Sequence, residues 1–326
     1  MESGRTGLVA LALMVLASPA WCQAPAKAPQ ANCWSAPARE DGPTRLVWAG
    51  RRTPDTPYTG PNRPIWRIAD LLKAHGNRKS WDQQVMLNRD FDGHYVSMAP
   101  GEKSKCLFYA DDRAFGWIYS GQLKVSIDGQ EPKVLSKGWF FNVAPRLSYC
   151  LESVGNQPVV FFRVTPAGQA PSYPESETPA PLKGYTYEKV KITSTGGYDS
   201  FNMPFFNIDE YGASERSGER FLFDGHTSAN ARRDVAITAL PPPTDWGHFH
   251  ANMPEAWVVV YGQIDVLISG AGLVHGDYGD VINVPEERWH RATSAANTGK
   301  SIRLSMISRS KEGQVLFLQP EGGAGN

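Results

Sequence analysis

Residues 236–266 read AITALPPPTDWGHFHANMPEAWVVVYGQIDV, and this stretch repeats an earlier one. Residues 95–125, YVSMAPGEKSKCLFYADDRAFGWIYSGQLKV, align with it without a gap when the chain is shifted by 141 positions. Under that shift Gly121 falls on Gly262, so the turn glycines coincide as well. Gapless self-similarity at a fixed period indicates that one structural unit occurs twice.

Each copy has the composition of a small β-domain. Short runs rich in β-branched and aromatic residues, such as WVVVY at 257–261 and VVFFRV at 159–164, alternate with turn residues. The chain holds 31 Gly and 25 Pro, which punctuate short strands rather than long helices. Its 326 residues, 41% of them hydrophobic, suffice for two domains with cores of their own. The pattern therefore predicts an all-β protein with two barrel or jelly-roll domains.

The second copy carries a set of side chains suited to a metal. His248 and His250 are two residues apart, so both face the same side of a strand. Glu255 opens the next apolar run and His290 lies on a later one, so each can approach the same point from another strand. Three imidazoles and one carboxylate suit a divalent transition metal and leave positions open on a six-coordinate ion.

At this point the sequence resembles the cupin superfamily, and the doubled copy resembles a bicupin. The first motif is matched by His248, His250, Glu255 and Gly262, and the second by Gly279, Pro285 and His290. The chain departs from the pattern at Pro242, Glu287 and Ser294, positions that affect turns rather than ligands. The resemblance implies two tandem cupin barrels, each a double-stranded β-helix.

The first copy lacks these ligands. The 141-residue shift places Leu107, Tyr109, Ala114 and Tyr149 at the four ligand positions. None of these side chains is a good ligand for a divalent metal. The N-terminal barrel is therefore predicted to be degenerate and metal-free, with a structural role.

Four cysteines are present, and two of them suggest a disulfide. Cys106 precedes the position equivalent to His248, and Cys150 follows the position equivalent to His290. The two ligand-bearing strands are neighbours in a cupin sheet, so a bridge between Cys106 and Cys150 is geometrically feasible.

The remaining sequence predicts an exported chain. Arg5 and the apolar run 8–17 are typical of a secretory signal, which implies a periplasmic or secreted protein. The 33 basic and 33 acidic residues balance, so no general attraction to nucleic acid or membrane is expected. The predicted segments are a signal peptide (1–26), a Pro/Ala-rich arm (27–88) with a helix at 64–75, the degenerate barrel (89–167), a linker (168–195), the metal-binding barrel (196–320) and a flexible tail (321–326).

Side-chain parity suggests which residues surround the metal. Trp257 would lie beside Glu255, Asn252 beside His250, and Arg288 would share the face of His290. These three are candidate substrate-binding residues. Glu255 is the candidate catalytic residue, because a carboxylate can serve as both metal ligand and proton acceptor.

Several functions are compatible with such a site. The leading hypothesis is an oxidoreductase of dioxygenase or copper/iron oxidase type that acts on a small organic substrate, with Cu, Fe or Mn as the metal and Zn or Ni left open. The alternatives are a decarboxylase or lyase of a small carboxylate and a non-catalytic exported protein that binds metal or sugar. Cupins commonly dimerise, so the expected partners are a small-molecule substrate and a second copy of the chain.

Overall fold

Almost all of the regular secondary structure in the described part of the chain is β-strand. A computed structural model describes residues 55–199, 202–208, 219–223, 227–235, 247–251, 253–295, 300–308 and 314–316. The predicted signal peptide, the first part of the predicted arm and the predicted tail lie outside these residues. Within the described ranges, no helix combines the length and apolar composition that a membrane crossing requires.

The elements follow one another in two series. The first series is β1 (Ile65–Trp66), α1 (Ile68–His75), β2 (Trp81–Leu87), β3 (Phe91–Met98), β4 (Ala114–Ser120), β5 (Gln122–Ile127), β6 (Lys133–Leu135), β7 (Trp139–Val143), β8 (Tyr149–Val154) and β9 (Val159–Pro166). The second is β10 (Phe205–Asn207), β11 (Glu219–Phe223), β12 (Thr227–Val235), β13 (Phe249–Ala251), β14 (Glu255–Tyr261), β15 (Ile264–Ile268), β16 (Gly272–Gly276), β17 (Val281–Val284), β18 (His290–Ser294), β19 (Lys300–Ser308) and β20 (Gln314–Leu316). The predicted linker 168–195 contains neither helix nor strand.

Each barrel pairs a six-stranded sheet with a three-stranded one. In the first barrel the orders are β10-β7-β4-β9-β3-β2 and β6-β5-β8. In the second they are β1-β17-β14-β19-β12-β11 and β16-β15-β18, with β13 and β20 forming a further pair. All the strand pairs are antiparallel, as in jelly-roll barrels. The predicted all-β class and two-barrel architecture are confirmed.

The internal repeat is visible in the strands themselves. Strands β4 and β14 begin at Ala114 and Glu255, which are 141 positions apart like the sequence repeat. The same spacing of 141 positions separates two residues with an uncommon backbone conformation. Arg146 and Glu287 have positive φ angles of 64° and 66°. These are the non-glycine residues with positive φ in the described chain. A shared turn that strains ordinary side chains supports two copies of one fold.

The two barrels exchange strands. Strand β1, which precedes the first barrel in the chain, pairs with β17 of the second barrel, with Ile65 opposite Ile282. Strand β10, which follows the first barrel, pairs back onto β7 of that barrel, with Phe206 opposite Phe140. The segments predicted from the sequence as 27–88 and 196–320 therefore each contribute a strand to the other half. Strand β2 (Trp81–Leu87) also belongs to the first barrel, whose predicted start was residue 89.

The pairing of β1 with β17 also explains why the helix begins later than predicted. The apolar spacing predicted a helix over 64–75, but α1 begins at Ile68 because Ile65 and Trp66 pair with β17. The helix start is fixed from the other barrel, since the Asp280 carboxylate accepts a hydrogen bond from the Ile68 amide at 3.0 Å. Gly76, with a φ of 54°, ends the helix as predicted.

A hydrophobic core joins the two barrels, in addition to the core inside each one. Phe115 and Phe162 of the first six-stranded sheet belong to one buried cluster with Val258 and Leu304 of the second. Burying a side chain of this size contributes about 1.5–3 kcal/mol relative to exposure. The shared cluster therefore holds the metal-bearing barrel against its partner barrel.

A disulfide closes one end of the first barrel. Cys106 and Cys150 are bonded, with their Cα atoms 4.4 Å apart. The bond lies next to the backbone bridge between Leu107 and Tyr149. It therefore reinforces the junction between the segment before β4 and strand β8.

We expect reduction of this disulfide to destabilise the protein by about 2–4 kcal/mol, because the bond restricts the unfolded chain over a separation of 44 residues. The measurement is urea unfolding with and without dithiothreitol. A Cys106→Ser/Cys150→Ser double variant should resemble the reduced protein and be insensitive to the reductant. An unchanged midpoint on reduction of the wild type would contradict this expectation.

His94 lies between two carboxylates on the first six-stranded sheet. Its Nδ1 contacts Asp82, and its Nε2 is 2.9 Å from Asp92 Oδ1. Burial lowers the pKa of His94, but the hydrogen bond and charge of Asp82 outweigh this effect and raise the pKa above 6.5. Burial likewise raises the pKa of Asp82, but His94 and Arg163 outweigh it and lower the pKa below 3.8.

The His94–Asp82 pair should stabilise the fold most between about pH 4 and pH 6.5. The contribution of His94 is complete below its unfolded pKa and is lost as the pH rises through its folded pKa, whereas that of Asp82 is lost at low pH. His94→Gln should therefore lower the Tm more at pH 5.5 than at pH 9, as measured by thermal unfolding across pH. In an Asp82→Asn background, the drop in Tm caused by His94→Gln should depend much less on pH. If that drop kept its full pH dependence without Asp82, the assignment to the His94–Asp82 pair would be refuted.

Candidate metal centre

Four predicted ligands converge at one end of the second barrel. His248 and His290 form an isolated backbone bridge, in which the His248 amide donates to the His290 carbonyl at 3.0 Å and the reverse bond is 2.8 Å. His250 lies on β13, two residues beyond His248, and Glu255 is the first residue of β14. Strand pairing thus brings together residues up to 42 positions apart in the sequence.

The geometry of the cluster is compact and closed to solvent. One ligand atom from each of the four residues lies within 4.8 Å of the others. Each of the four residues is at most 4% exposed. The ring centroids of His248 and His290 are 4.5 Å apart, and those of His248 and His250 are 4.8 Å apart. Three imidazoles and a carboxylate at this spacing can coordinate one metal ion.

The orientation of His290 fits a metal ligand. Its Nδ1 donates to the Arg288 carbonyl at 2.9 Å, which leaves the lone pair on Nε2. This buried Nε2 makes no hydrogen bond, although it lies 3.4 Å from Glu255 Oε2. A buried lone pair without a donor is costly unless a cation satisfies it. The residues present therefore fit a bound transition metal.

Glu255 is held in its charged form. Burial raises the pKa of Glu255, but its interactions with the neighbouring imidazoles of His250 and His290 outweigh burial and hold the pKa well below its ordinary value. Oε2 is 3.2 Å from His250 Nε2, and Oε1 accepts a hydrogen bond from the Ser305 hydroxyl. A carboxylate fixed in this way is ready to bind a cation without first losing a proton.

The first barrel has the same backbone arrangement with different side chains. Leu107 and Tyr149 form an isolated bridge equivalent to that of His248 and His290. Tyr149 belongs to the buried core of this barrel, with Leu107 and Tyr109 packed against it. Apolar and phenolic groups occupy the place that imidazoles take in the second barrel. That this barrel is metal-free stays a prediction.

Trp257 lies inside the second barrel, next to the cluster. Its ring centroid is 5.4 Å from that of His290, and the side chain is completely buried. It packs in the barrel core with Val259 and Ile282. Trp257 therefore serves as a wall of the site and as core, and its contact with substrate stays a prediction.

The structure gives Arg288 a different place from the one predicted. Its guanidinium donates to the carbonyls of Thr56 and Ser269 at 2.7 and 2.6 Å and lies over the Tyr58 ring. The side chain thus binds the segment before β1 and not a substrate at the cluster. Strand parity does not apply to Arg288, because Arg288 lies in the loop before β18, which begins at His290. Asn252, the third candidate, lies outside the described residues.

Two residues of β19 were missed by the motif analysis. Ser305 binds Glu255, and the Arg303 guanidinium lies over the Trp257 ring at 4.0 Å. Neither belongs to a cupin motif. The signal that could have found them is the alternation in SIRLSM at 301–306, where polar residues occupy every second position of an otherwise apolar strand.

Several solved structures are similar to this chain in fold. No protein-family model and no curated protein matches the sequence. A cupin 2 conserved barrel domain protein from Leptotrichia buccalis is 11% identical, with 75% of this chain and 96% of that chain covered and a TM-score of 0.48. Oxalate decarboxylase from Lactobacillus farciminis is 12% identical over 81% and 90% of the two chains, with a TM-score of 0.48. A variant of salicylate 1,2-dioxygenase from Pseudoaminobacter salicylatoxidans is 12% identical over 75% and 80%, also with a TM-score of 0.48.

The strand topology, the 141-residue repeat and the four-residue cluster define the class of this protein without those likenesses. Two jelly-roll barrels exchange strands, and the second brings the four predicted ligand residues together in a buried cluster. The chain is an all-β protein of two jelly-roll barrels, one of which holds a buried cluster of three histidines and a glutamate.

We expect His250→Ala to reduce bound metal from about one ion per chain to a small fraction, because it removes one of the four candidate direct ligands. The measurement is elemental analysis after dialysis against a metal-buffered solution. His275→Ala is the matched control, since His275 is paired with Asp265 at 2.7 Å and lies outside the cluster. Equal metal content in both variants would rule out the assigned site.

Proposed function

We propose that this chain is a metal-dependent bicupin enzyme, an oxidoreductase of dioxygenase or copper/iron oxidase type. The observation that carries the proposal is the buried cluster of His248, His250, Glu255 and His290. A purely structural metal site usually fills its coordination shell with protein ligands in a tetrahedral set rich in cysteine. This set has no cysteine, and its three nitrogen ligands and one carboxylate suit Fe, Cu or Mn.

The protein residues would hold the metal and keep bulk water away from it. A bound metal of this kind would act as a Lewis acid and provide a site for O2 and a substrate oxygen. The apolar wall of Trp257, Val259 and Ile282 excludes bulk water from the inner side of the cluster. Glu255 would hold the metal as a ligand, and its role as a proton acceptor stays a prediction.

We also propose that the protein is exported to the periplasm or beyond. The apolar run near the N-terminus supports export, although it lies outside the described residues. The disulfide between Cys106 and Cys150 supports it independently, since such bonds persist in oxidising compartments.

The proposed class is tested by O2 consumption. Metal-free protein is loaded separately with Fe(II), Cu(II), Mn(II) or Zn(II) and assayed with phenolic, saccharide and carboxylate substrates in an oxygen electrode. We expect substrate-dependent O2 uptake with a redox-active metal, none with Zn(II), and a loss of at least about a hundredfold in His250→Ala. His275→Ala should keep wild-type rates.

Other outcomes identify the alternatives. Release of CO2 from a carboxylate without net O2 uptake would replace the proposal with a decarboxylase. A fully loaded protein that binds sugars or other ligands but turns none of them over would indicate a binding protein.

A further inference from the structure

Most of the exposed apolar side chains of the described residues lie in the linker between the barrels. Eight large apolar side chains are exposed, and five of them are Leu182, Tyr185, Tyr187, Val190 and Ile192. The last four of these are 42–72% exposed. Apolar surface concentrated on one short segment of a soluble protein indicates a contact surface.

The backbone of the same part of the linker is unpaired. Residues 185–192, which we call the exposed segment, run without a turn or bend, and none of them has a positive φ. In the described part of the chain, no amide or carbonyl of residues 186–192 forms a hydrogen bond. An extended segment with free backbone groups and apolar side chains is able to pair with another strand.

Both ends of the linker are held on the first barrel. Before the exposed segment, Ser172 and Phe108 form a backbone bridge with hydrogen bonds of 2.8 and 2.9 Å. After it, the Gly196 amide donates to the Pro145 carbonyl at 2.8 Å. A pair of free strands is only marginally stable in water, but a segment fixed at both ends loses less conformational entropy when it pairs.

The exposed segment reads YTYEKVKI, and its charges are complementary to those of a second copy that runs antiparallel to it. When Glu188 of one copy lies opposite Lys189 of the other, the symmetry of the pair places Lys189 opposite Glu188 as well. Opposite charges at directly opposed positions stabilise an antiparallel pair. A slip by one residue would place Glu188 opposite Glu188, or Lys189 opposite Lys189, so the charges also favour a single register.

The same register pairs the apolar side chains. Tyr187 lies opposite Val190 of the second copy, and Tyr185 lies opposite Ile192. Because residues two apart share a face of a strand, the two tyrosines of one copy and the two β-branched residues of the other lie on one face. Aromatic and β-branched residues are favourable partners at directly opposed positions.

We propose that the exposed segment is a dimerisation strand that pairs with the same segment of a second copy about a twofold axis. A twofold interface must be complementary to itself, as this sequence is. In the single chain Lys189 contacts Glu175, but both side chains of that pair are exposed, so its replacement costs little. The inference goes beyond the proposed function and does not involve the metal.

The test is sedimentation velocity of the purified chain over a series of concentrations. Two strands of eight residues form a small interface, so we expect a weak dimer that appears between about 10 μM and about 1 mM. Lys189→Glu places like charges opposite each other at two symmetric positions and should weaken the dimer by about tenfold or more. Glu188→Lys should have the same effect.

A charge swap tests the register. The double variant Glu188→Lys/Lys189→Glu has opposite charges at both positions again and should return the affinity to within about threefold of the wild type. Lys183→Glu is the matched control, because it makes the same change of charge in the linker outside the paired residues and should leave the affinity unchanged. Near-ultraviolet circular dichroism checks the fold of each variant.

Three results would overturn the proposal. The first is a wild-type chain that stays monomeric up to about 1 mM. The second is a dimer whose affinity does not change in Lys189→Glu, since another surface would then hold the two copies together. The third is a dimer that both single variants weaken and the double variant fails to restore, because the assigned pairing of Glu188 with Lys189 would then be wrong.

Discussion

Two backbone hydrogen bonds between His248 and His290 are the constraint on which the rest of the site depends. They join two segments that belong to different strands and so fix where both imidazoles project. Once this bridge forms, His250 and Glu255 reach the same point through ordinary strand alternation and the turn before β14. The ligand cluster is therefore a consequence of barrel closure. The first barrel closes through the same kind of bridge, but Leu107 and Tyr149 stand there in place of the two histidines.

Local sequence information was sufficient for much of the architecture. Alternating apolar runs, turn glycines and the 141-residue repeat predicted two all-β barrels, and the spacing of His248, His250, Glu255 and His290 predicted residues that the structure brings together. These features depend on strand periodicity, which is determined by residues close together in the sequence. The pairing of Cys106 with Cys150 followed from the same registration between the copies.

The parts that escaped prediction depend on contacts distant in sequence. The helix over 64–75 was placed too early because Ile65 pairs with a strand more than two hundred residues away. Arg288 was assigned to the ligand-bearing face because parity was extended into the loop before β18, where strand alternation does not hold. Arg303 was overlooked because no motif includes it, although its stack on Trp257 places it beside a metal ligand.

The reciprocal pairing of β1 with β17 and of β10 with β7 has a consequence for the engineering of the molecule. Each half lends a strand to the other, so a chain cut between them would leave two open sheet edges that invite aggregation. The first half of the chain thus has a mechanical role besides any chemistry, because its strand β1 covers the edge of β17 in the sheet of the second barrel.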